Sequence, residues 1–180
     1  MKRIDYLKNK IERYLKREQL LKDQENYKLE KSFLKKARKN IIVANLNLRI
    51  SEKEELKQVL NLSSDFEMYD WVIIVSYYAM YISALAALAR LGYKSQSHAA
   101  TLATLEYNYV HQQSSLEIKH LHKLTKAHAL SEALITKLIQ TKTRRETAQY
   151  DATPTISKQN ALSSLEDAQE FITKIEEILL

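Results

Sequence analysis

Within eight residues near the C-terminal end, Arg144, Arg145, Tyr150 and Asp151 gather two guanidinium groups, a phenol and a carboxylate. A guanidinium can grip a phosphate through two parallel N–H bonds, and a phenol can stack on a base or donate its hydroxyl to a phosphate oxygen. The same residues also suit a structural role, with basic side chains at a helix C-terminus, Asp151 paired to an arginine and Tyr150 packed on the core. Both readings stay open on the residues alone.

Five histidines are the other candidates for proton or metal chemistry. His98 follows Ser97, a candidate helix cap, and reads either as a proton carrier or as a capping surface residue. His120, His122 and His128 invite a metal reading, but helical neighbours two apart diverge by about 200°, so no metal site is expected. Glu117 and Glu132 are too scattered for a carboxylate dyad, and with Gly92 as the one glycine no phosphate-cradling loop can form. Tyr77, Tyr78 and Tyr81 either line a cleft or pack in the core. The absence of cysteine removes disulfides, thiolate catalysis and cysteine-ligated metal centres. No cofactor is expected.

These side chains must be carried by helices. One glycine and one proline in 180 residues disfavour sheet architectures, which draw on both for their turns. Residues 2–22 read as an amphipathic helix with Ile4, Leu7, Ile11, Tyr14 and Leu21 on a narrow stripe. Leu29, Phe33, Ala37, Ile41, Ala44 and Leu48 mark a core helix over 27–49, and Ser51 with Glu54 predicts a capping box for a short helix after it. Trp71 to Ala89 runs 19 residues without a charge, long enough for a membrane span. Its tyrosines and serines sit in the middle of the run rather than at its ends, so a buried central helix is the better reading. Gly92 then predicts a left-handed C-cap, and Ser97 a cap for a helix over 98–112. Helices over 115–129 and 131–148, a loop around Pro154, and a last helix from Ser157 with Ala161, Leu165, Ala168, Ile172, Ile175 and Leu179 on one face complete the chain.

Charge is uneven. Net charge is +6 overall, but residues 1–40 hold 14 Lys and Arg against 6 Asp and Glu, leaving 14 against 16 for the rest. Lys2, Arg3, Lys8, Lys10, Arg13, Lys16 and Arg17 form a basic stripe that attracts RNA or an anionic surface, unless it is a solvated face balanced by Asp5, Glu12 and Glu18. The expected division is a basic N-terminal helix over 1–25 and a helical bundle over 26–180. The first forty residues lack the apolar run of a secretory signal, and the expected location is the cytoplasm.

Three patterns in order resemble the HEPN (higher eukaryotes and prokaryotes nucleotide-binding) superfamily over roughly residues 30–180, especially its small stand-alone prokaryotic members. They are Ser76-Tyr77-Tyr78-Ala79-Met80-Tyr81 leading to Leu88 and Gly92, His98 after Ser97, and Arg144-Arg145-Glu146-Thr147-Ala148-Gln149-Tyr150-Asp151 before a final helix bearing Ala168 and Phe171. The last is similar to the family's Arg-x-x-Ala-Asp-Tyr element. The resemblance implies an all-α, up-and-down bundle of five to seven helices, here with an extra basic N-terminal helix. It also implies RNA or nucleotide binding, a homodimer, and a minimal nucleotidyltransferase-type antitoxin partner in a toxin–antitoxin or stress module.

In the catalytic branches, which include metal-independent RNases, the active element is an arginine, four to six residues, then a histidine. Here Arg145 matches the arginine, Tyr150 stands where the histidine would, and Gln149 replaces the aspartate common in the most similar subgroup. Histidine titrates near about 6.5 and tyrosine near about 10, so Tyr150 is a poor proton carrier at neutral pH. The expected function is therefore binding without cleavage, with Arg144, Arg145, Tyr150, Asp151 and Tyr78 as ligand contacts. Two alternatives remain: a catalytically silent protein-interaction module, and an active endoribonuclease that uses Arg145 with His98 as its proton carrier.

Overall fold

A computed structural model describes the backbone of residues 2–145 and 157–180, with side chains described through residue 136 and again from residue 157. Among the described residues seven α-helices account for most of the chain: α1 (Lys2–Lys16), α2 (Glu30–Glu52), α3 (Glu54–Val59), α4 (Tyr69–Arg90), α5 (His98–Leu105), α6 (Ile118–Arg145) and α7 (Lys158–Leu179). Two short strands, β1 (Leu20–Lys22) and β2 (Tyr93–Ser95), pair antiparallel. The all-α bundle is as the sequence implies.

The charge-free segment forms α4, the axle of the bundle, and most of its residues are buried. It is long and apolar enough to cross a membrane, but 78% of its most apolar stretch is covered by protein. Val72 and Ile73 pack with Ala44 and Leu48 of α2, Leu134 of α6 and Leu165 of α7. Further along, Met80, Ala84 and Leu88 join Leu7 and Ile11 of α1, Leu105 of α5, Leu124 of α6 and Phe171 of α7. Each fully buried aliphatic side chain in such a cluster contributes about 2 kcal/mol through removal from water. The stripe on α7 is buried throughout, at Ala161, Leu165, Ala168, Ile172, Ile175 and Leu179.

Helix ends follow the caps in most places. The Ser97 hydroxyl accepts from Ala100 N and opens α5, and Ser157 does the same for Asn160 N and α7. Beyond Leu105 the helix continues through Gln112 as a π-helical turn, so the expected span of 98–112 is a helix of two geometries.

Several sequence expectations need correction. The first helix stops at Lys16 rather than reaching residue 22: Glu18 takes a left-handed φ of 56°, and Leu21 of the expected stripe lies instead in β1 beside the fully buried Leu20. The two strands need no tight turn because their partners lie more than seventy residues apart in sequence, which is why a chain with one glycine and one proline can still form them. Ser51 does not cap α3. It sits in the last turn of α2, where its hydroxyl donates to Asn47 O and accepts from Met68 N, pinning the entry to α4 instead. The helices expected over 115–129 and 131–148 are one helix, α6, because nothing between Ala129 and Ser131 breaks it and Ser131 is buried inside it. The expected loop around Pro154 lies outside the described residues.

Gly92 ends α4 as expected, with φ +76° and its N–H donating to Ala89 O. It is also a closure point: its carbonyl accepts from Asp23 N at 2.8 Å, and a Cβ placed there would sit 3.1 Å from Asp23 O. Gly92→Ala therefore meets both left-handed strain and crowding. The expected outcome is a loss of about 1–2 kcal/mol in chemical denaturation, with the helical content of the folded state unchanged.

Candidate functional site

The cap at Ser97 sets His98 as the first residue of α5, facing the axle of the bundle. Tyr77 and Tyr81, four apart on α4, share the face that meets it, with ring centroids 6.1 and 5.9 Å from the His98 ring. From α6, His128 closes the other side at a centroid distance of 3.9 Å from His98 and 5.2 Å from Tyr77. Three helices thus contribute a cluster of two imidazoles and two phenol rings.

The cluster is dry where it matters most. Both ring nitrogens of His98 are shielded from solvent, and neither has a hydrogen-bond partner among the described residues. Burial, reinforced by the neighbouring His128, pushes the His98 pKa down to about 4. Burial also raises the Tyr77 phenol. At neutral pH His98 is therefore an uncharged ring, able to offer one donor and one acceptor but poorly matched to general acid work.

Of the other candidates, Tyr78 borders this cluster, its ring centroid 5.3 Å from that of Tyr77 while the residue is 43% exposed, and the rest separate from it. His120 is buried, its Nδ1 accepting from Glu117 N at 3.2 Å, while His122 is exposed. The three histidines of α6 thus turn to three surroundings, and no group of three potential metal ligands occurs among the described residues. Arg144 and Arg145 belong to the last turn of α6 by backbone. Their side chains, together with Tyr150 and Asp151, lie outside the described residues.

His128 is the participant that sequence reasoning passed over, having weighed it only as a metal ligand. It stands thirty residues from His98 on a different helix, and no local pattern links the two. A helical-wheel comparison of His128 with its buried neighbours Leu121 and Leu124 is the one signal that places it toward the bundle.

The depressed pKa of His98 makes an acid-stability prediction. The unfolded chain takes up a proton near the ordinary value of about 6.5, whereas the folded chain resists until about pH 4. Stability is therefore lost as pH falls through this window, by on the order of 1–2 kcal/mol once the partial exposure of the ring is allowed for. His98→Phe fills the same space with nothing to protonate, and urea titrations of the variant between these pH values are expected to show a shallower decline than the wild type.

The HEPN domain family matches residues 48–178, from the end of α2 through α7. No curated protein matches the chain. The matched region holds all of α4, α5 and α6, and with them His98, His128, Tyr77, Tyr81 and the Arg145–Tyr150 element. Match and all-helical architecture agree, and the chain belongs to the HEPN domain family.

Proposed function

We propose that this chain binds RNA or a nucleotide as a HEPN protein and does not cleave it. Family membership supports a nucleotide- or RNA-related role in general. The finer reading is carried by one observation, the presence of Tyr150 in the position where catalytic relatives place histidine after Arg145.

The surroundings of His98 support the same conclusion. An imidazole that stays neutral down to about pH 4 is a weak proton donor at pH 7. Distance also counts against a pairing within one chain. His98 touches His128, and Arg145 follows His128 by seventeen residues on α6, roughly 25 Å along a straight helix at 1.5 Å per residue. Proton transfer needs contact directly or through one water. On this reading Arg145 clamps a phosphate with its guanidinium fork, Arg144 adds to the local field, and Tyr150 and Asp151 complete the contact surface. The protein works as a homodimer and meets a minimal nucleotidyltransferase-type partner in a toxin–antitoxin or stress module.

A second reading, a silent protein-interaction module, is favoured by the outer face of α2, where Ile42 and Leu46 are 66% and 52% exposed one turn apart.

The test is binding and cleavage of labelled single-stranded RNA by the wild type and Arg145→Ala at low and moderate salt. The wild type is expected to bind, to release the RNA uncut, and to weaken as salt rises; Arg145→Ala is expected to lose about tenfold or more in affinity. Cut RNA from the wild type, but not from the variant, would establish an RNase. Loss of all RNA affinity alongside retained partner binding would favour the interaction module.

A further inference from the structure

The N-terminal helix lies outside the family match, yet it is docked firmly on the bundle. Leu7 and Ile11 are buried in the main core cluster, and Arg3 donates from Nε and one terminal nitrogen to the two carboxylate oxygens of Glu106 at 2.7 Å each. Glu106 lies in the π-helical turn after α5, so this fork fixes the start of α1 against a segment more than a hundred residues away.

Between α1 on one side and α5 and α6 on the other runs a cleft of about 340 Å³, within the range of small-molecule sites. Arg3, Tyr6 and Lys10 form its α1 wall at helical spacing. Leu102 and Leu121 supply apolar surface, and His98 and His122 line it from α5 and α6. Tyr6 is 46% exposed, with the Arg3 guanidinium 5.5 Å and the Lys10 ammonium 5.7 Å from its ring centroid.

The charges in the cleft are not equivalent. Arg3 is committed to Glu106, and this pairing cancels the one carboxylate that would repel an anion there. Lys10 forms no ion pair among the described residues and lies 5.9 Å from the Tyr14 ring, so its charge is held in place by aromatic faces. His98 lines the cleft from α5 with its ring nitrogens turned away from solvent, so it contributes shape rather than a hydrogen bond.

A half-exposed aromatic ring, an ammonium beside it with no ion pair among the described residues, apolar surface and the exposed His122 imidazole are parts that recognise a planar base joined to a phosphate. We propose that the cleft between α1, α5 and α6 binds one nucleotide unit, with the base stacked on Tyr6 and the phosphate against Lys10. The inference rests on the reading of the chain as an RNA or nucleotide binder and adds a second contact site, distinct from Arg145. The unit can come from a free nucleotide or from a single-stranded RNA chain that continues toward Arg13 along the basic face of α1.

The experiment measures binding of adenosine monophosphate and of a short oligoadenylate to the full chain as wild type, Tyr6→Ala, Tyr6→Phe, Lys10→Ala and Arg145→Ala, with thermal unfolding as a check on folding. Tyr6→Ala is expected to weaken binding about tenfold, the effect of removing one stacking ring, while Tyr6→Phe keeps the ring and stays near wild type. Lys10→Ala is expected to flatten the salt dependence of oligoadenylate binding. Saturable binding of the monophosphate that is sensitive to Tyr6 identifies a free-nucleotide site; sensitivity in the oligoadenylate alone identifies a site for an RNA chain. Wild-type affinity in folded Tyr6→Ala and Lys10→Ala, with loss in Arg145→Ala, would overturn the cleft and leave the proposed function standing. No binding of either probe by the wild type would overturn both.

Discussion

Burial of α4 is the constraint on which the rest of the structure depends. Nineteen consecutive residues without a charge must be removed from water, and the chain does so by surrounding them with α2, α6 and α7 along their length and with α1 and α5 toward the C-terminal end. The axle also has to be compatible with its own polar groups. The Ser83 hydroxyl bonds back to Met80 O, and the phenol of Tyr109 from the π-helical turn donates to Ala87 O at 2.7 Å. At the exposed end, Arg90 pairs with Glu30 and also donates to Leu179 O, tying α4 to the start of α2 and the end of α7. The aromatic cluster inherits this geometry, because Tyr77 and Tyr81 can meet His98 only if α4 presents that face to the first residue of α5.

The N-terminal segment is held by several kinds of interaction at once. Leu7 and Ile11 contribute burial, β1 pairs with β2, Asp23 N donates to Gly92 O, and Arg3 closes the fork onto Glu106. Partly exposed ion pairs contribute little alone, but two charge-assisted bonds to one carboxylate fix orientation as well as adding energy. The result is a cleft whose walls are held by packing and ion pairing, and for the proposed ligand preorganisation of this kind lowers the entropy cost of binding.

Periodic features were legible in the sequence because they depend on neighbours in the chain. The α7 stripe and its start at Ser157, the cap at Ser97, and the glycine stop at residue 92 all follow from local spacing and backbone preference. What depends on distant partners was not. Ser51 has the right spacing for a capping box, yet Met68 N offers its hydroxyl a better-buried donor seventeen residues on. Leu20 and Leu21 read as the end of a helix until β2 supplies a partner for their backbone. The meeting of His98 with His128 is tertiary in the same sense, and so is the pairing of Arg3 with Glu106. The family resemblance, by contrast, was carried by short motifs and is upheld by the match over residues 48–178.

The matched region forms a HEPN bundle, and a basic helix outside the match packs onto it, where the proposed nucleotide contact lies. Amide hydrogen exchange on the free chain and on the chain saturated with single-stranded RNA tests this most directly. Amides of α4 are expected to exchange only through global unfolding in both states, with added protection on RNA binding confined to α1, the start of α5 and the C-terminal end of α6. Fast exchange in α4 of the free chain that slows when RNA binds would show that the bundle folds on its ligand, and would contradict the account.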